Sequence, residues 1–103
     1  MGSSVATPVE ATLSGAGSTA WFSPSPARPF NAWVLAGGWS GSLYLEKSPD
    51  AGVTAIPIVA EGVQLYMASG VGVSPVEESE SGVLWRWTAA ADFSGTATVR
   101  LSQ

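Results

Sequence analysis

Side chains that could carry out catalysis are scarce in this 103-residue chain. It contains no histidine and no cysteine, which excludes the common histidine-dependent triads and thiol proteases. Lys47 and Ser48 are adjacent, but neighbouring strand residues point to opposite faces, so they are not expected to form a nucleophile–base pair. The remaining candidates for acid–base chemistry are eight carboxylates: Glu10, Glu46, Asp50, Glu61, Glu77, Glu78, Glu80 and Asp92. None has a sequence setting that indicates a catalytic cleft, so we expect a protein that is not an enzyme.

Acidic residues and glycines could instead indicate a metal or phosphate site. The acidic run at residues 77–80 lacks the regularly spaced oxygen ligands around a glycine that a calcium loop needs. A solvated acidic loop is the simpler interpretation. The Gly-x-Gly triplets at residues 15–17 and 70–72 neither join a strand to a helix nor precede a lysine, as phosphate loops do. We therefore predict no metal and no cofactor.

Residues 48–54 read Ser-Pro-Asp-Ala-Gly-Val-Thr, a spacing that resembles the Asp-box hairpin of sialidase propellers. A propeller needs at least about four blades, for which this chain is too short. Ser48 and Asp50 can accept backbone N–H groups, Gly52 can adopt a positive φ, and Thr54 can restart a strand. These four residues therefore predict a structural turn.

The charge balance excludes two classes of partner. Four basic residues against eight acidic ones give a net charge of −4. Nucleic-acid binding needs clustered lysine and arginine, and attraction to an anionic membrane needs the same. No stretch approaches the roughly 20 apolar residues of a membrane span, and the first eight residues do not resemble a signal peptide. Because only 12% of the residues are charged, we expect extensive protein contacts, oligomerisation among them.

The pattern of β-forming residues and turns predicts an all-β fold. Short strands are expected at residues 9–13, 19–22, 30–36, 42–47, 54–60, 63–67, 83–88 and 95–101. Gly37-Gly38 and Glu61-Gly62 are predicted turns, residues 68–81 a loop, and Pro57 indicates a sheet edge. No segment has a helical period. Residues 9–103 therefore predict one antiparallel β-sandwich, or a partly open barrel, preceded by a flexible arm at residues 1–8.

A repeated pattern suggests where the core lies. Residues 38–45 align with residues 92–99 at a shift of 54 positions, which also places Trp33 on Trp87. This predicts two equivalent hairpins with both tryptophans pointing inward. The predicted core residues are Trp33, Leu43, Leu45, Trp85, Trp87 and Val99.

Aromatic residues outside a core could contact a ligand or a partner. Trp21, Trp39, Trp85 and Trp87 are candidates for stacking on sugars. Trp39 and Phe93 lie at the starts of the two hairpin motifs, where they either fold back onto the core or face a partner.

Several of these features together resemble a group of small virion proteins of tailed bacteriophages. The resemblance covers the Trp-Ser-Gly hairpin within residues 30–50, and the acidic loop, Trp-x-Trp strand and Ser-Gly-Thr-x-x-x-Arg-Leu-Ser-Gln end within residues 77–103. This sequence has Ala51 where the group has glycine.

The resemblance implies a non-enzymatic β-sandwich made in the host cytoplasm and located on the capsid surface of the virion. The preferred interpretation is a capsid decoration (cement) protein whose partners are the major capsid protein and its own copies, in a homotrimer. The alternatives are a tail, neck or fibre component and a carbohydrate-binding module. Val5, Val9 and Leu13 are predicted to lie along a capsid strand, with Trp39 and Phe93 as further partner contacts.

Overall fold

Ten β-strands form the secondary structure of the part of the chain that the computed structural model describes, residues 6–26, 28–60, 63–64, 68 and 70–103. The strands are β1 (Val9–Leu13), β2 (Gly17–Ser18), β3 (Phe30–Ser40), β4 (Leu43–Ser48), β5 (Ile56–Pro57), β6 (Val59–Ala60), β7 (Val63–Gln64), β8 (Gly72–Val76), β9 (Leu84–Ala89) and β10 (Ser94–Ser102). Across these residues there is no helix, so none is long and apolar enough to cross a membrane. The all-β prediction is confirmed.

Two antiparallel four-stranded sheets pack face to face. Sheet 1 has the order β1-β10-β3-β8, sheet 2 has the order β2-β9-β4-β5, and β6 pairs separately with β7. The sheets are not closed on each other. The architecture is therefore a sandwich rather than a partly open barrel.

The core lies between the sheets, where alternate residues of each strand meet. Phe22, Phe30 and Trp85 form its aromatic centre, with ring centroids 5.2 Å apart in each of the two contacts that Phe30 makes. Full burial of a side chain of this size contributes roughly 1.5–3 kcal/mol. The buried apolar residues are Leu13, Phe22, Phe30, Ala32, Val34, Leu43, Leu45, Val76, Val83, Trp85, Trp87, Ala89, Phe93, Ala97, Val99 and Leu101.

Two segments differ from the sequence prediction. β3 continues through Gly37 and Gly38, which pair with β10, and the chain turns after Ser40 instead. Gly37 permits close strand approach, because a Cβ there would collide with the backbone of Thr96 and Ala97. Residues 72–76, predicted as loop, form β8 at the edge of sheet 1. Pro75 is tolerated there because an edge strand needs hydrogen bonds on one side only.

Other boundaries shift by a few residues. β2 lies just before the predicted strand at residues 19–22, of which Phe22 forms only an isolated bridge to Trp85. β5 is the edge strand that Pro57 indicated. The predicted turn at residues 61–62 lies outside the described residues, as do residues 65–67 of the predicted strand at 63–67.

The N-terminal segment is held from residue 6 onward. Ala6 donates its backbone N–H to Gln103 Oε1 at 3.3 Å and packs against the core. Residues 1–5 of the predicted flexible arm lie outside the described residues. Ala6, which the sequence placed in the flexible arm at residues 1–8, therefore contacts the sandwich.

The sequence repeat corresponds to an approximate internal twofold in strand pairing. The 54-residue shift places β3 on β9 and β4 on β10, while β3 pairs with β10 and β4 with β9. The same shift carries the pair Ser18–Thr88 onto the pair Gly72–Val34. Each repeat crosses from one sheet to the other, so the repeats are intertwined rather than the two separate hairpins that were predicted.

Two glycines permit this crossing. Gly41 and Gly95, equivalent under the shift, have φ values of +88° and +100°, which favour glycine. A Cβ on either would collide with the backbone at the crossing of the other repeat: Asp92 and Phe93 for Gly41, Gly38 and Trp39 for Gly95. These contacts are themselves equivalent under the shift, which supports the internal twofold.

One extra residue in β3 changes which side chains of its first half point into the core. The register of β10 against β3 shifts at one point: Thr98 pairs with Ala36, but Val99 pairs with Val34. Leu35 is the bulged residue, and a one-residue bulge exchanges inward and outward positions. Trp33 consequently lies partly exposed on the outer face of sheet 1, whereas its equivalent Trp87 is 4% exposed. The predicted inward position of Trp33 is therefore wrong.

Candidate partner-binding surface

The turn at residues 48–54 is held by its own side-chain oxygens. Ser48 Oγ accepts the N–H of Gly52 at 2.9 Å and donates to Asp50 Oδ1 at 2.7 Å. Asp50 Oδ1 also accepts the N–H of Thr54 at 2.8 Å. Hydrogen bonds from the side chain and the backbone of Thr54, and then from Ser48, lower the pKa of the Asp50 carboxyl. These contacts stay within the turn, as a structural motif requires.

A second polar cluster lies on the outer face of sheet 2. Glu46, 8% exposed, accepts hydrogen bonds from Arg86 Nε at 2.9 Å and Thr88 Oγ1 at 2.6 Å. Ser18 Oγ lies 2.9 Å from Thr88 Oγ1. Burial, and then the negative charge of Glu46, raises the pKa of the neighbouring Tyr44. A buried carboxylate with an arginine and a hydroxyl donor is stabilised where it is, so this cluster holds β2, β4 and β9 together.

The acidic loop at residues 77–80 is less solvated than its sequence predicts. Glu78 is buried, with 8% of its surface exposed. Its carboxylate accepts Trp85 Nε1 at 3.1 Å, the backbone N–H of Glu80 at 3.1 Å and Lys47 Nζ at 3.4 Å. The two buried carboxylates, Glu46 and Glu78, therefore both have structural partners.

The cleft beside Glu78 is small. It has a volume of about 80 Å³ and is lined by Pro26, Arg28, Pro29, Glu77, Glu78 and Ser79. Ligand pockets usually measure about 300–1,000 Å³. Within the described residues, no group of three or more potential metal-binding side chains comes together.

The four tryptophans considered for sugar stacking have other partners. Trp85 and Trp87 belong to the core. The guanidinium of Arg86 lies 4.2 Å from the centre of the Trp21 ring. The arginine side chain therefore covers one face of the indole. Trp39 packs against the core and stacks on Phe93 with a centroid distance of 6.4 Å.

The structure does not assemble the predicted partner-binding residues into one surface. Val5 lies outside the described residues. Val9 packs against the core and Leu13 is part of it, so both side chains face inward. Trp39 and Phe93 fold back onto the core, which was one of the two alternatives for them. Leu43, Leu45, Trp85, Trp87 and Val99 are buried at predicted core positions.

A different apolar surface is exposed on the outside of sheet 1. It consists of Trp33, Leu35, Val71 and Val73, which we call the β3–β8 face. Leu35, Val71 and Val73 are 40%, 63% and 49% exposed. Val73 pairs directly with Trp33 across β3 and β8, and such cross-strand neighbours share a face of the sheet. The indole N–H of Trp33 donates to Ser102 Oγ at 3.0 Å, which fixes the ring on the sheet.

The sequence did not predict this surface, because the surface depends on a bulge in β3 and on the strand β8, and neither was predicted. The Leu35 bulge turns Trp33 outward, and β8 was assigned to a loop. The available signal was the absence of charge: neither β3 nor β8 contains an ionisable residue. An edge strand without charged side chains is a common site for pairing with another chain.

No protein-family model matches the chain, and searches of the curated proteins and of the solved structures gave no significant match.

Proposed function

We propose that the protein is a non-enzymatic structural component of a bacteriophage virion, specifically a capsid decoration (cement) protein. In this role it binds the major capsid protein on the capsid surface and associates with its own copies, after synthesis in the host cytoplasm. The observation that carries the proposal is the β3–β8 face, an exposed apolar surface on a small rigid sandwich. Contiguous exposed apolar side chains are typical of protein–protein contacts.

The polar groups support a structural rather than a catalytic role. Glu46, Glu78 and Asp50 are engaged by donors from their own fold. A catalytic acid or base would need a free position near a substrate pocket. Here the buried carboxylates connect strands, so their chemistry stabilises the sandwich.

The sparse charges support binding to protein rather than to nucleic acid or membrane. Three of the four basic residues, Lys47, Arg86 and Arg100, already pair with carboxylates of the same chain. Such pairs leave little positive charge for phosphate groups. Attachment to a capsid through apolar and backbone contacts requires no such charge.

The copy number per virion tests the proposal. Quantitative mass spectrometry of purified particles, relative to the major capsid protein, should give hundreds of copies for a decoration protein. About a dozen copies would instead indicate the tail, neck or fibre alternative, and complete absence from the particle would refute a virion role. Binding of the purified protein to undecorated capsids should reproduce the stoichiometry found in the particle.

The partial exposure of Trp33 favours a second candidate function, that of a carbohydrate-binding module. Its ring is partly exposed on a flat sheet face, and aromatic rings can stack on sugars. A glycan array with the wild-type protein and a Trp33→Ala variant distinguishes the two functions. Specific glycan binding that Trp33→Ala abolishes would support the module, and binding to capsids alone would support decoration.

A further inference from the structure

Among the described residues, the outer edge of sheet 1 at β8 is open and carries a single protecting residue, Pro75. Among the described residues no strand lies beyond β8, so its outward backbone groups have no strand partner there. Natural sheets usually guard such an edge with charged side chains. β8 has none, and its neighbour β3 has none over eleven residues. Only Pro75, near the end of β8, is a residue that hinders pairing with another strand, because proline has no backbone N–H to donate.

The face next to this edge carries a rigid anchor. Trp33 is held by Ser102 and lies against Val73 in the pairing of β3 and β8. Rigid tryptophans on apolar surfaces are common centres of protein interfaces. The equivalent tryptophan of the other repeat, Trp87, is buried. The Leu35 bulge therefore creates an exposed anchor in one repeat only, and it does so beside the open edge.

We propose that a second copy of this chain occupies this surface, by antiparallel pairing of the two β8 strands about a twofold axis. An occupant of an open strand edge must offer an extended backbone, and a second β8 does so. In a twofold contact the same patch of both copies forms the interface. Charged side chains on that edge would therefore face like charges of the other copy and repel them. An uncharged edge on a chain with net charge −4 is where two copies can approach without that repulsion.

The apolar side chains fit the same arrangement. With β8 strands side by side, the outer faces of the two sheets continue into each other. Val71 and Val73 of one copy then lie beside the β8 side chains of the other, which removes part of their exposed apolar area from water. The product is a closed dimer with a continuous eight-stranded sheet, in contrast to the homotrimer that the family resemblance implies.

This inference uses the same face as the proposed function, but it concerns the free protein, so its test involves no capsid and can fail separately. The test is sedimentation equilibrium of the full chain from about 1 to 100 μM, for wild type, Val73→Lys and Val53→Lys. Val53 is the matched control: it is 85% exposed, and it lies in the turn at residues 48–54, away from β8. Wild type and Val53→Lys should dimerise equally. Val73→Lys should weaken the dimer by at least about 100-fold, because the twofold axis brings the two introduced lysines together and like charges repel across a contact. Circular dichroism must show that both variants are folded.

Two further measurements keep the proposal falsifiable if Val73→Lys is unstable. The wild-type dimer should persist in about 1 M salt, because its contact contains no ion pairs. Backbone amides of residues 71–76 should exchange hydrogen more slowly at high protein concentration than at low concentration. A monomer or a trimer of wild type would overturn the proposal. So would a dimer that Val73→Lys leaves intact, or exchange at residues 71–76 that does not depend on concentration.

Discussion

At the scale of single residues, Asp50 shows how one side chain holds a turn together. Its carboxylate accepts hydrogen bonds from Ser48 and Thr54, and these lower its pKa below 3.8. A group whose pKa is lower in the folded state stabilises the protein above its unfolded-state pKa. That stability is lost as the pH falls through the folded-state pKa.

We therefore expect Asp50→Asn to lower the midpoint of urea denaturation at neutral pH. The difference from wild type should shrink as the pH is lowered below 3.8. Ser79→Asn, in the exposed acidic loop, is the control and should show no such pH dependence. A difference between wild type and Asp50→Asn that is the same at neutral and acid pH would contradict a charge-dependent role for the turn.

Trp33 and Trp87 give a second prediction at this scale, because equivalent sequence positions lie in different environments. Trp87 is buried, so Trp87→Ala should lower the free energy of unfolding by about 3–5 kcal/mol. Trp33 lies partly exposed on the outer face, so Trp33→Ala should cost only about 1 kcal/mol. Urea denaturation, at protein concentrations that keep the chain monomeric, measures both. Equal losses would show that the Leu35 bulge does not exchange the faces of β3.

At the scale of elements, the two crossing glycines allow a direct test of the internal twofold. Gly41→Ala and Gly95→Ala each place a Cβ against the backbone of the other repeat at a positive φ. Each should therefore lower the free energy of unfolding by about 2–4 kcal/mol, through strain at a special backbone position. The two losses should be similar because the contacts are equivalent.

Gly15→Ala is the matched control for these variants. A Cβ on Gly15 would meet no atom within 4 Å, so the change should stay within about 0.5 kcal/mol. Thermal or urea denaturation of the three variants compares them directly. If Gly95→Ala behaved like Gly15→Ala, the equivalence of the two crossings would be lost.

The same scale shows which features could be read from the sequence. The period of two in residues 43–47 and 97–101 predicted inward residues correctly, since Leu43, Leu45 and Val99 are buried. The bulge could not be predicted, because Leu35 is an ordinary β-forming residue and its extra position is visible only against β10. β8 was missed because Pro75 and its small neighbours have the composition of a loop.

The repeat illustrates the difference between local and long-range information. Matching residues at a shift of 54 indicated that two segments have similar structure, and in both the chain turns between strands at the matching position. Whether the strands of one segment pair with each other or with the other segment depends on contacts far apart in sequence. Ser40 and Ser94, whose hydroxyl oxygens lie 2.8 Å apart, meet because β3 of one repeat pairs with β10 of the other in the same sheet.

At the scale of the whole molecule, the two edges of sheet 1 suit different partners. β8 is uncharged and flanked by the β3–β8 face, whereas β1 contains Glu10, which pairs with Arg100 at 3.0 Å. In a dimer joined at β8, the two β1 edges lie at the far ends of the continuous sheet. The N-terminal residues of both copies precede these ends. Two such attachment points on one dimer would raise the avidity for a capsid through effective concentration.

The last prediction concerns residues 1–5, which precede β1 and the first described residue, Ala6. If these residues bind the capsid protein as an added strand, their removal should weaken binding to undecorated capsids by at least about 10-fold, because every copy loses its anchor and the avidity is lost with it. Thermal stability should stay unchanged, because the hydrogen bond from Ala6 to Gln103 remains. Removal of residues 1–8 is the informative comparison, since it also deletes Ala6 and should lower stability. Attachment measured by co-sedimentation in low and high salt should be similar, because few charges are available to contribute. Undiminished binding after removal of residues 1–5 would exclude them as the anchor and would leave the exposed edge of β1 as the next contact to test.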